Sequence, residues 1–427
     1  MVEFTVHIAS DTTVDGWTNG AGLNAVPSLP GYLLNFAGGR AATPESNFLS
    51  NLGYDSEAVG ILARSTIASH IRPRYPRLAE YEETRLSKYG PQGWIYPLGS
   101  DDMIDKINAY YTRCHHACKV SDKALNIFMR FAEVASLRPY TYEEVINRSL
   151  DKTGLVSNSG LPFFTKRKSV ISESIALARD RSEQYPAVIG GRSIKQKMRL
   201  IFMAPFSQNI EELSYVYPVM DYLLLHTSTV DGWRGHTSVV RSMNELFFNE
   251  TGRTYLSTDF SAMDTTVGPD QIALFAKVLP LFFKPEYREG CRKMILQSCS
   301  QDVLVGAVST PGGAQIGKKR KLLVYLKGIH GLFSGLGFTN LAETILQMIL
   351  DIELSLHLDI VASQINGDDG TKAIDGHRNL DKCATTFARY AGRMGFEANA
   401  SKQLVSYDEV HYLQRVYSPE TVQHGIV

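Results

Sequence analysis

The most constraining feature of this sequence is a pair of acidic residues at the tip of a predicted β-hairpin. Two strand-prone runs, residues 360–365 and 371–374, flank the sequence Asn-Gly-Asp-Asp-Gly, in which the acids are Asp368 and Asp369. Gly, Asn and Asp tolerate the positive φ angles of tight turns, so the two runs are expected to pair. A calcium-binding loop does not fit, because its sixth position would be Thr371 instead of glycine and its last would be a histidine.

A second acidic segment follows another strand-prone run. Residues 254–258 read Thr-Tyr-Leu-Ser-Thr and lead into Asp259, and Asp264 follows shortly after. A carboxylate at a strand end beside two on a neighbouring hairpin can bind two divalent ions, as in-line phosphoryl transfer requires. Hard cations prefer such oxygen ligands. We therefore expect Asp259, Asp368 and Asp369 to lie together.

Charge is distributed unevenly along the chain. The 427 residues contain 44 basic and 44 acidic side chains, so no global field attracts nucleic acid. Between residues 163 and 199, however, nine basic residues stand against three acidic ones, and residues 318–321 read Lys-Lys-Arg-Lys. Each run could be an ordinary solvated face or a phosphate-binding surface.

Periodicity along the chain predicts a mixture of helices and strands, which indicates the α+β class. Residues 1–95 look irregular, because they are rich in Gly, Pro, Ser and Asn. The spacing of apolar residues predicts helices near 100–150, 170–185, 204–225, 269–284, 340–357 and 379–394. It predicts strands at 199–203 and 254–259, hairpins over 302–326 and 360–374, and a final pair of strands.

Cysteine usage and the N-terminus indicate the compartment. Five scattered cysteines argue against a disulfide framework and fit a reducing environment. The segment 114–118, Cys-His-His-Ala-Cys, lacks a second ligand pair for zinc and is predicted to be a helix surface. No leader or membrane-spanning run is visible, so we expect a protein that is not secreted.

In their order along the chain, seven segments between residues 155 and 417 resemble the conserved motifs of right-hand RNA polymerases of RNA viruses. In the usual lettering these are Ser159-Gly160-Leu161-Pro162 (motif G), Lys197 to Ile201 (F), Asp259 to Asp264 (A), Ser334 to Thr339 (B), Gly367-Asp368-Asp369 (C), Gly395 through Lys402 (D) and Tyr412-Leu413-Gln414-Arg415 (E). Within the family, the set is most similar to polymerases of picobirnaviruses and partitiviruses. The resemblance implies template-directed RNA synthesis, with two Mg²⁺ or Mn²⁺ ions, from nucleoside triphosphates.

The resemblance also implies roles for individual residues. Asp259 and Asp368 would ligate the metals, Asp369 would support them, and Lys402 would give a proton to the leaving pyrophosphate. Residues that would bind the incoming nucleotide are Arg192, Lys195, Lys197, Arg199, Asp264, Ser334, Thr339 and Asn340. Residues that would contact RNA are Ser159, Gly160, Pro162, Gly335 and Arg415.

Sugar recognition departs from one pattern of the family. Asp264 would accept a hydrogen bond from the ribose 2′-hydroxyl, which distinguishes RNA from DNA. Picornavirus-like enzymes place an asparagine four residues after the motif B threonine, where this chain has Glu343. Glu343 fits a helix cap opened by Asn340, and Asn340 is a possible substitute for sugar recognition.

The implied lobes divide the chain as follows: 1–95 N-terminal extension, 96–205 fingers with motifs G and F, 206–290 palm with motif A, 291–330 fingers insertion, 331–417 palm with motifs B to E, and 418–427 the start of a truncated thumb. The palm should contain an antiparallel sheet flanked by helices, with the thumb largely missing from this chain. Expected partners are template and nascent RNA, nucleoside triphosphates and a viral capsid protein. The expected location is the host cytoplasm or the virion interior.

Two other interpretations remain open from the residues. Residues 312–318 match the spacing Gly-x4-Gly-Lys of a phosphate-binding loop, but the next residue is Lys319 instead of a metal-binding Ser or Thr. A polymerase-like protein that binds RNA without catalysis is the second alternative. The presence of all three candidate metal ligands argues against it.

Overall fold

The computed structural model of the chain describes residues 5–8, 53, 56–86, 95–96, 101–112, 116–150, 153–180, 184–194, 197–309 and 321–419. Its elements are helices and three separate sheets, which confirms the α+β class.

The α-helices in these ranges are α1 Ser56–Thr66, α2 Pro76–Leu86, α3 Asp101–Thr112, α4 Asp122–Glu133, α5 Tyr142–Leu150, α6 Ile171–Asp180, α7 Phe206–His226, α8 His236–Ser242, α9 Met263–Thr266, α10 Pro269–Val278, α11 Pro285–Ser298, α12 Thr339–Ser355 and α13 Leu380–Arg393. Short 3₁₀ segments are Thr153–Val156, Arg167–Ser169, Asp231–Arg234, Leu279–Phe282 and Ala400–Lys402, and π-helical turns are Ile67–Ile71 and Met243–Phe247.

The strands are β1 Thr5–Ile8, β2 Ile95–Tyr96, β3 Ala187–Ile194, β4 Lys197–Met203, β5 Thr254–Thr258, β6 Val303–Ser309, β7 Lys321–Lys327, β8 Ile360–Asn366, β9 Asp369–Ile374, β10 Leu404–Ser406, β11 Val410–Tyr412 and β12 Arg415–Tyr417. A larger sheet has the order β1-β7-β6-β3-β2, with β4 also paired to β3, and β11 and β12 form a separate hairpin.

The sheet that carries the predicted acids has four antiparallel strands in the order β10-β5-β9-β8. In the pairing of β5 with β9, Thr258 lies opposite Gly370. Continuing this register by one residue places Asp259 opposite Asp369. The predicted neighbourhood of the strand before Asp259 and the acidic hairpin is therefore confirmed.

Helix α12 packs behind the acidic hairpin and joins it to the main core. The helix contacts β8 on one side and α4 and α13 on others. Its core-facing residues Ile345, Ile349 and Leu354 are fully buried. Removal of so much apolar surface from water stabilises the helix far more than its intrinsic propensity does.

Side-chain caps define the starts of two neighbouring helices. The Ser121 hydroxyl accepts a hydrogen bond from the Ala124 amide at 3.2 Å at the start of α4. The Asn379 side chain accepts one from the Lys382 amide at 2.8 Å at the start of α13. Each cap satisfies one amide that has no partner within its helix.

Three local predictions are corrected by the structure. Residues 56–86 contain two helices, although the composition of this region indicated irregular structure. Helix α11 fills a stretch for which we predicted no helix. The segment 114–118, which was predicted to be a helix surface, is not helical where it is described. Helix α3 ends at Thr112, and residues 116–121 have no regular structure. Residues 114 and 115 lie outside the described ranges.

Among the described helices, none combines the length and the apolar character that crossing a bilayer would require.

Candidate active site

Asp259 is held at the end of β5 by a glutamine from a distant part of the chain. The Gln403 side chain accepts a hydrogen bond from the Asp259 amide at 2.9 Å and donates one to the Asp259 carbonyl at 2.9 Å. Its amide nitrogen also donates to the Asn399 carbonyl at 2.9 Å. The backbone of Asp259 is thereby fixed, and its side chain is exposed to solvent.

The acidic hairpin has a two-residue turn formed by Gly367 and Asp368. Gly367 has a φ angle of +64°, which glycine adopts without the steric cost of a side chain. Its amide donates to the Thr344 hydroxyl at 2.9 Å, and its carbonyl accepts from the Gln347 side chain at 2.6 Å. Helix α12 therefore fixes the turn from behind, while Asp368 at the tip is exposed to solvent.

The carboxylates influence one another electrostatically. The pKa of Asp368 is raised, first because the surrounding chain partly desolvates its carboxyl and also because Asp264 and Asp259 are negatively charged neighbours. The nearby Arg199 charge opposes this rise in pKa. The side chain nevertheless keeps solvent access, so a cation from solution can reach it.

Asp264 lies at the start of the short helix α9 and contacts a tyrosine from the N-terminal part of the chain. The Tyr110 hydroxyl donates a hydrogen bond to Asp264 Oδ2. The other carboxylate oxygen, Oδ1, accepts from the Thr265 amide at 3.0 Å. Both oxygens of Asp264 thus have a partner within the chain.

Glu343 adds a fourth acid to this region, and its predicted role as a helix cap is wrong. Helix α12 begins at Thr339, so Glu343 lies in its second turn, and the N-cap residue Phe338 makes no side-chain cap. The Glu343 side chain is buried, and its pKa is raised well above the ordinary value by burial and by its acidic neighbours. The largest of these charges is that of Asp368.

The loop before α12, residues 334–338, is fixed by two polar residues of α7. The Asn209 side chain donates to the Gly335 carbonyl at 2.9 Å, and the Gly337 amide donates to the buried Glu212 carboxylate at 2.6 Å. A Cβ atom at Gly335 would collide with the carbonyl oxygen of Phe202, so only glycine fits there. Ser334 stays exposed on this loop.

The next two residues of the predicted nucleotide-binding set are already engaged within the chain. The Thr339 hydroxyl donates to the Phe333 carbonyl at 2.6 Å. Asn340 accepts from the Trp233 indole at 2.8 Å and donates to the Asn366 side chain at 3.0 Å. Asn340 therefore connects α12 to the acidic hairpin.

Residues 158–167 lie against the same loop. The Ser159 carbonyl accepts from the Phe206 amide at 2.8 Å, at the start of α7. Arg167 donates to the Asn209 side chain at 2.6 Å, and Asn209 in turn holds Gly335. Ser159, Gly160 and Pro162 are buried in this turn, so the structure places them beside the loop 334–338 through a shared polar network.

The basic residues of β3 and β4 are only partly described. Arg192 lies opposite Arg199 in the β3–β4 pairing, and Lys197 begins β4. The side chains of Arg192 and Lys197, and all of Lys195, lie outside the described part of the structure. Arg199 is exposed, and its charge acts on Asp368, so at least one predicted phosphate ligand faces the acids.

Lys402 and Arg415 lie on either side of β10 and β11. Lys402 is exposed and directly precedes Gln403, the residue that holds Asp259. Arg415 is partly buried at the start of β12, after a turn in which Leu413 and Gln414 have positive φ angles of 49° and 62°. Lys402 is therefore the sequence neighbour of a residue that contacts the Asp259 backbone.

The carboxylates suit magnesium or manganese as partial ligand sets. In the described ranges, no group of three or more His, Cys, Asp or Glu side chains could hold a metal ion on its own. Magnesium sites usually combine one or two carboxylates with substrate phosphates instead of a full protein cage. No described cation forms an ion pair with Asp259 or Asp368, so their charge remains available to such an ion.

Comparison with known proteins identifies the family. A family model described as viral RNA-dependent RNA polymerase matches residues 193–427. The chain belongs to the viral RNA-dependent RNA polymerase family. The predicted resemblance is confirmed, and the chain is an RNA-directed RNA polymerase by family.

One curated protein and two crystal structures that are similar to this chain are also viral RNA-dependent RNA polymerases. The chain is 24% identical over 423 residues to a "Potential RNA-dependent RNA polymerase" of Human picobirnavirus (strain Human/Thailand/Hy005102/-), covering 91% of this chain and 72% of that protein. The crystal structure of the RNA-dependent RNA polymerase of a human picobirnavirus superimposes with a TM-score of 0.74 at 22% identity, over 97% of this chain and 78% of that one. An insertion-loop deletion mutant of a human picobirnavirus polymerase gives the same TM-score and identity, over 97% and 80%.

Sequence patterns missed the residues that hold the backbone and side chains of the candidate site in place. These residues are Tyr110, Asn209, Glu212, Gln347 and Gln403. Glu212 alone carried a local signal, since it is an acid within a largely apolar helix. The others act across more than 100 residues or through backbone contacts, which no local pattern indicates.

Proposed function

We propose that this polymerase joins nucleotides to the 3′-hydroxyl of an RNA strand by two-metal nucleotidyl transfer, directed by an RNA template. Asp259 and Asp368 are the metal ligands, and Asp369 supports them. The observation that carries the proposal is the β5–β9 pairing, which places the end of β5 opposite the acidic hairpin. The electrostatic effect of Asp259 and Asp264 on Asp368 supports a shared site.

In this proposal the acidic residues, the basic residues and Lys402 have separate roles. Bound Mg²⁺ or Mn²⁺ would offset the negative charge of the triphosphate and lower the pKa of the attacking 3′-hydroxyl. Asp259 and Asp368 orient these groups, while Arg199, with Arg192, Lys195 and Lys197, binds the phosphates. Lys402 donates the proton from its ammonium group to the pyrophosphate oxygen that leaves.

Sugar and strand recognition are assigned to the residues around the acids. Asp264 accepts the ribose 2′-hydroxyl, and Ser334, Thr339 and Asn340 contribute to the nucleotide pocket. Contact with RNA falls to Ser159, Gly160, Pro162, Gly335 and Arg415. The network through Arg167, Asn209 and Gly335 supports this, because it joins the two segments expected to face the template.

The division into lobes is also a proposal. The four-stranded sheet with α12 and α13 corresponds to the palm, residues 206–290 and 331–417. Residues 96–205 and 291–330 would form the fingers, 1–95 an N-terminal extension and 418–427 the start of the thumb. A capsid protein as partner, and the cytoplasm or virion as location, stay predictions.

A primer-extension assay with the full chain tests the proposal. With an RNA template, an RNA primer, the four nucleoside triphosphates and Mg²⁺, we expect labelled product of template length and sequence. Chelation of the divalent ion should abolish synthesis and leave RNA binding intact, because binding comes from basic residues on phosphates. RNA binding without incorporation under any divalent ion would instead favour the non-catalytic, polymerase-like alternative.

A further inference from the structure

Tyr110 is a buried residue that makes a direct contact with the candidate nucleotide site. It belongs to α3, which precedes the segment that matches the family model. Its hydroxyl donates a hydrogen bond to Asp264 Oδ2. The tyrosine therefore brings a group from the N-terminal third of the chain to the carboxylate assigned to the sugar.

The ring of Tyr110 is fixed by aromatic packing. It meets Phe202 of β4 edge-on at 5.1 Å between ring centroids and Phe333 at 5.4 Å. Phe202 and Phe333 are themselves stacked at 3.7 Å. These contacts leave the hydroxyl little freedom to point elsewhere, since the ring is only 6% exposed.

Backbone hydrogen bonds connect the same three elements. The Gly331 amide donates to the Tyr110 carbonyl at 2.9 Å, and the Leu332 amide donates to the Asp264 carbonyl at 2.9 Å. Helix α3, the start of α9 and the segment before the loop 334–338 thus share one bonded cluster. Tyr110 and Asp264 cannot move independently within it.

The hydrogen-bond donor in this pair is unambiguous. Burial, and then the negative charge of Asp264, raise the pKa of Tyr110 well above its ordinary value, so the phenol keeps its proton. An ionised carboxylate has about four acceptor positions, and Tyr110 and Thr265 use two of them. Asp264 retains capacity for a sugar hydroxyl.

We propose that Tyr110 is a specificity-determining positioning residue, whose hydroxyl holds the Asp264 carboxylate in the orientation that accepts the ribose 2′-hydroxyl of the incoming nucleotide. The inference rests on the proposed role of Asp264. Without the phenol, Asp264 keeps the Thr265 amide as a partner but loses the contact that fixes its second oxygen, near the charge of Arg199, which acts on both Tyr110 and Asp368. Sugar discrimination then falls although the acid is still present.

The test compares ribonucleotide with 2′-deoxynucleotide incorporation by the full-length Tyr110→Phe variant on one RNA template. This change removes only the hydroxyl and keeps the packed ring. We expect the ratio of kcat/KM values, ribonucleotide over deoxynucleotide, to fall about 3- to 10-fold, as for loss of one hydrogen bond to a positioned group. The loss should lie in the ribonucleotide KM, with deoxynucleotide values changed less than about twofold.

Tyr111→Phe is the matched control. Tyr111 follows on the same helix, is 1% exposed and packs edge-on against His330 at 6.1 Å instead of on Asp264. It should leave the sugar ratio unchanged. If Tyr110→Phe also leaves the ratio unchanged and merely lowers Tm as Tyr111→Phe does, Tyr110 is structural and the inference is overturned.

Asp264→Ala separates failure of this inference from failure of the proposed function. An altered ratio in Asp264→Ala together with a normal ratio in Tyr110→Phe would overturn the tyrosine role alone. A normal ratio in Asp264→Ala would overturn the sugar role of Asp264 and the inference with it. Asp264→Leu, which keeps a similar side-chain volume and has no acceptor, serves the same purpose if the alanine variant does not fold.

A double-mutant cycle completes the test. If Tyr110 acts through Asp264, adding Tyr110→Phe to Asp264→Ala should cause no further change in the sugar ratio. An additive second loss would mean that the phenol reads the sugar by another route, and the positioning role would be wrong.

Discussion

Helix α12 and strand β9 contribute to two groups of charged residues, and within the described structure only one of these groups contains an ion pair. Near the acidic hairpin, Glu343 of α12 lies in the electrostatic field of Asp368 and Asp264. Farther along the same helix, Asp351 forms an ion pair with Lys372 of β9, with 2.9 Å between oxygen and nitrogen. The same two elements thus support one buried ion pair and one acidic cluster that is open to solvent.

The surroundings of the two groups explain the difference. Lys372 is completely buried and also lies 5.7 Å from the centre of the Phe387 ring, so no ion from solution can replace it. Asp259 and Asp368 are exposed, and no described cation pairs with them. A buried pair must carry its own counter-charge, whereas an open acidic cluster can take its counter-charge from bound ions.

The largest expected effect is that of Asp368→Asn on catalysis. The change should lower nucleotide incorporation by several orders of magnitude, because metal positioning acts mainly in the transition state. RNA affinity, which depends on basic residues, should be nearly unchanged in a filter-binding assay. In metal-free buffer, Tm should not fall, since one member of a repelling cluster is removed.

Asp375→Asn is the matched control for that change. Asp375 is exposed and directly follows β9, whose first residue is Asp369, so it lies at the other end of the strand. The Asp375→Asn variant therefore loses one negative charge at a position away from the site. The Asp375→Asn variant should incorporate nucleotides at the normal rate. Near-normal turnover by Asp368→Asn with Mg²⁺ would exclude Asp368 as an essential ligand and remove the contrast between the two acidic groups.

The second effect concerns stability at the neutralised pair. Lys372→Met should lower the free energy of unfolding by about 3–5 kcal/mol, because it leaves Asp351 buried without a counter-charge. The double change Lys372→Met with Asp351→Leu should recover most of that loss, since neither charge remains. Chemical unfolding of the wild type and the two variants measures the loss and its recovery. A loss below about 1 kcal/mol in the single variant would show that water reaches the pair.

The sequence predicted the open acidic cluster and not the buried pair, for a physical reason. Asp259 and Asp368 stand at the ends of strand-prone runs, so local pattern and antiparallel pairing were enough to bring them together. Lys372 lies between Thr371 and Ala373, and both faces of β9 are buried there. Alternation along a strand cannot predict a buried lysine whose partner lies on a helix.

Long-range support of the site was equally invisible in the sequence. Tyr110 and Gln403 reach Asp264 and Asp259 across 154 and 144 positions. Glu343 was assigned as a cap because a local pattern matched, but the helix begins one residue before Asn340. Local patterns therefore indicated the residues proposed to carry the chemistry, and tertiary packing decided which residues hold them in place.

The third effect tests this support at Gln403. Gln403→Leu keeps a similar volume but removes the hydrogen bonds to both backbone groups of Asp259. We expect incorporation to fall about 10- to 100-fold with a higher Mg²⁺ concentration at half-maximal rate, as for other groups that orient metal ligands. Metal titration in the primer-extension assay measures the shift.

Gln364→Leu is the control for Gln403→Leu. Gln364 is a buried glutamine of β8 that donates to the Ser228 carbonyl at 2.6 Å, away from Asp259. It should lower Tm without moving the Mg²⁺ dependence. Equal metal shifts in both variants would mean that the effect comes from general loosening of the sheet.

The smallest expected effect distinguishes Glu343 from the acids proposed as metal ligands. Burial, followed by the charges of Asp368, Asp264 and Asp369, raises the pKa of Glu343 well above its ordinary value. The folded chain therefore holds this proton more tightly than the unfolded chain, and stability contributed by the protonated form is lost as pH rises above the unfolded pKa.

Glu343→Gln resembles the protonated form at every pH. In chelator-containing buffer, its Tm relative to wild type should rise from about pH 4.5 to pH 8, because only wild type meets the cost of ionisation. A relative Tm that falls over this range would show that the ionised Glu343 stabilises the fold, and Glu343 would then belong with Asp351 as an acid neutralised by the chain itself.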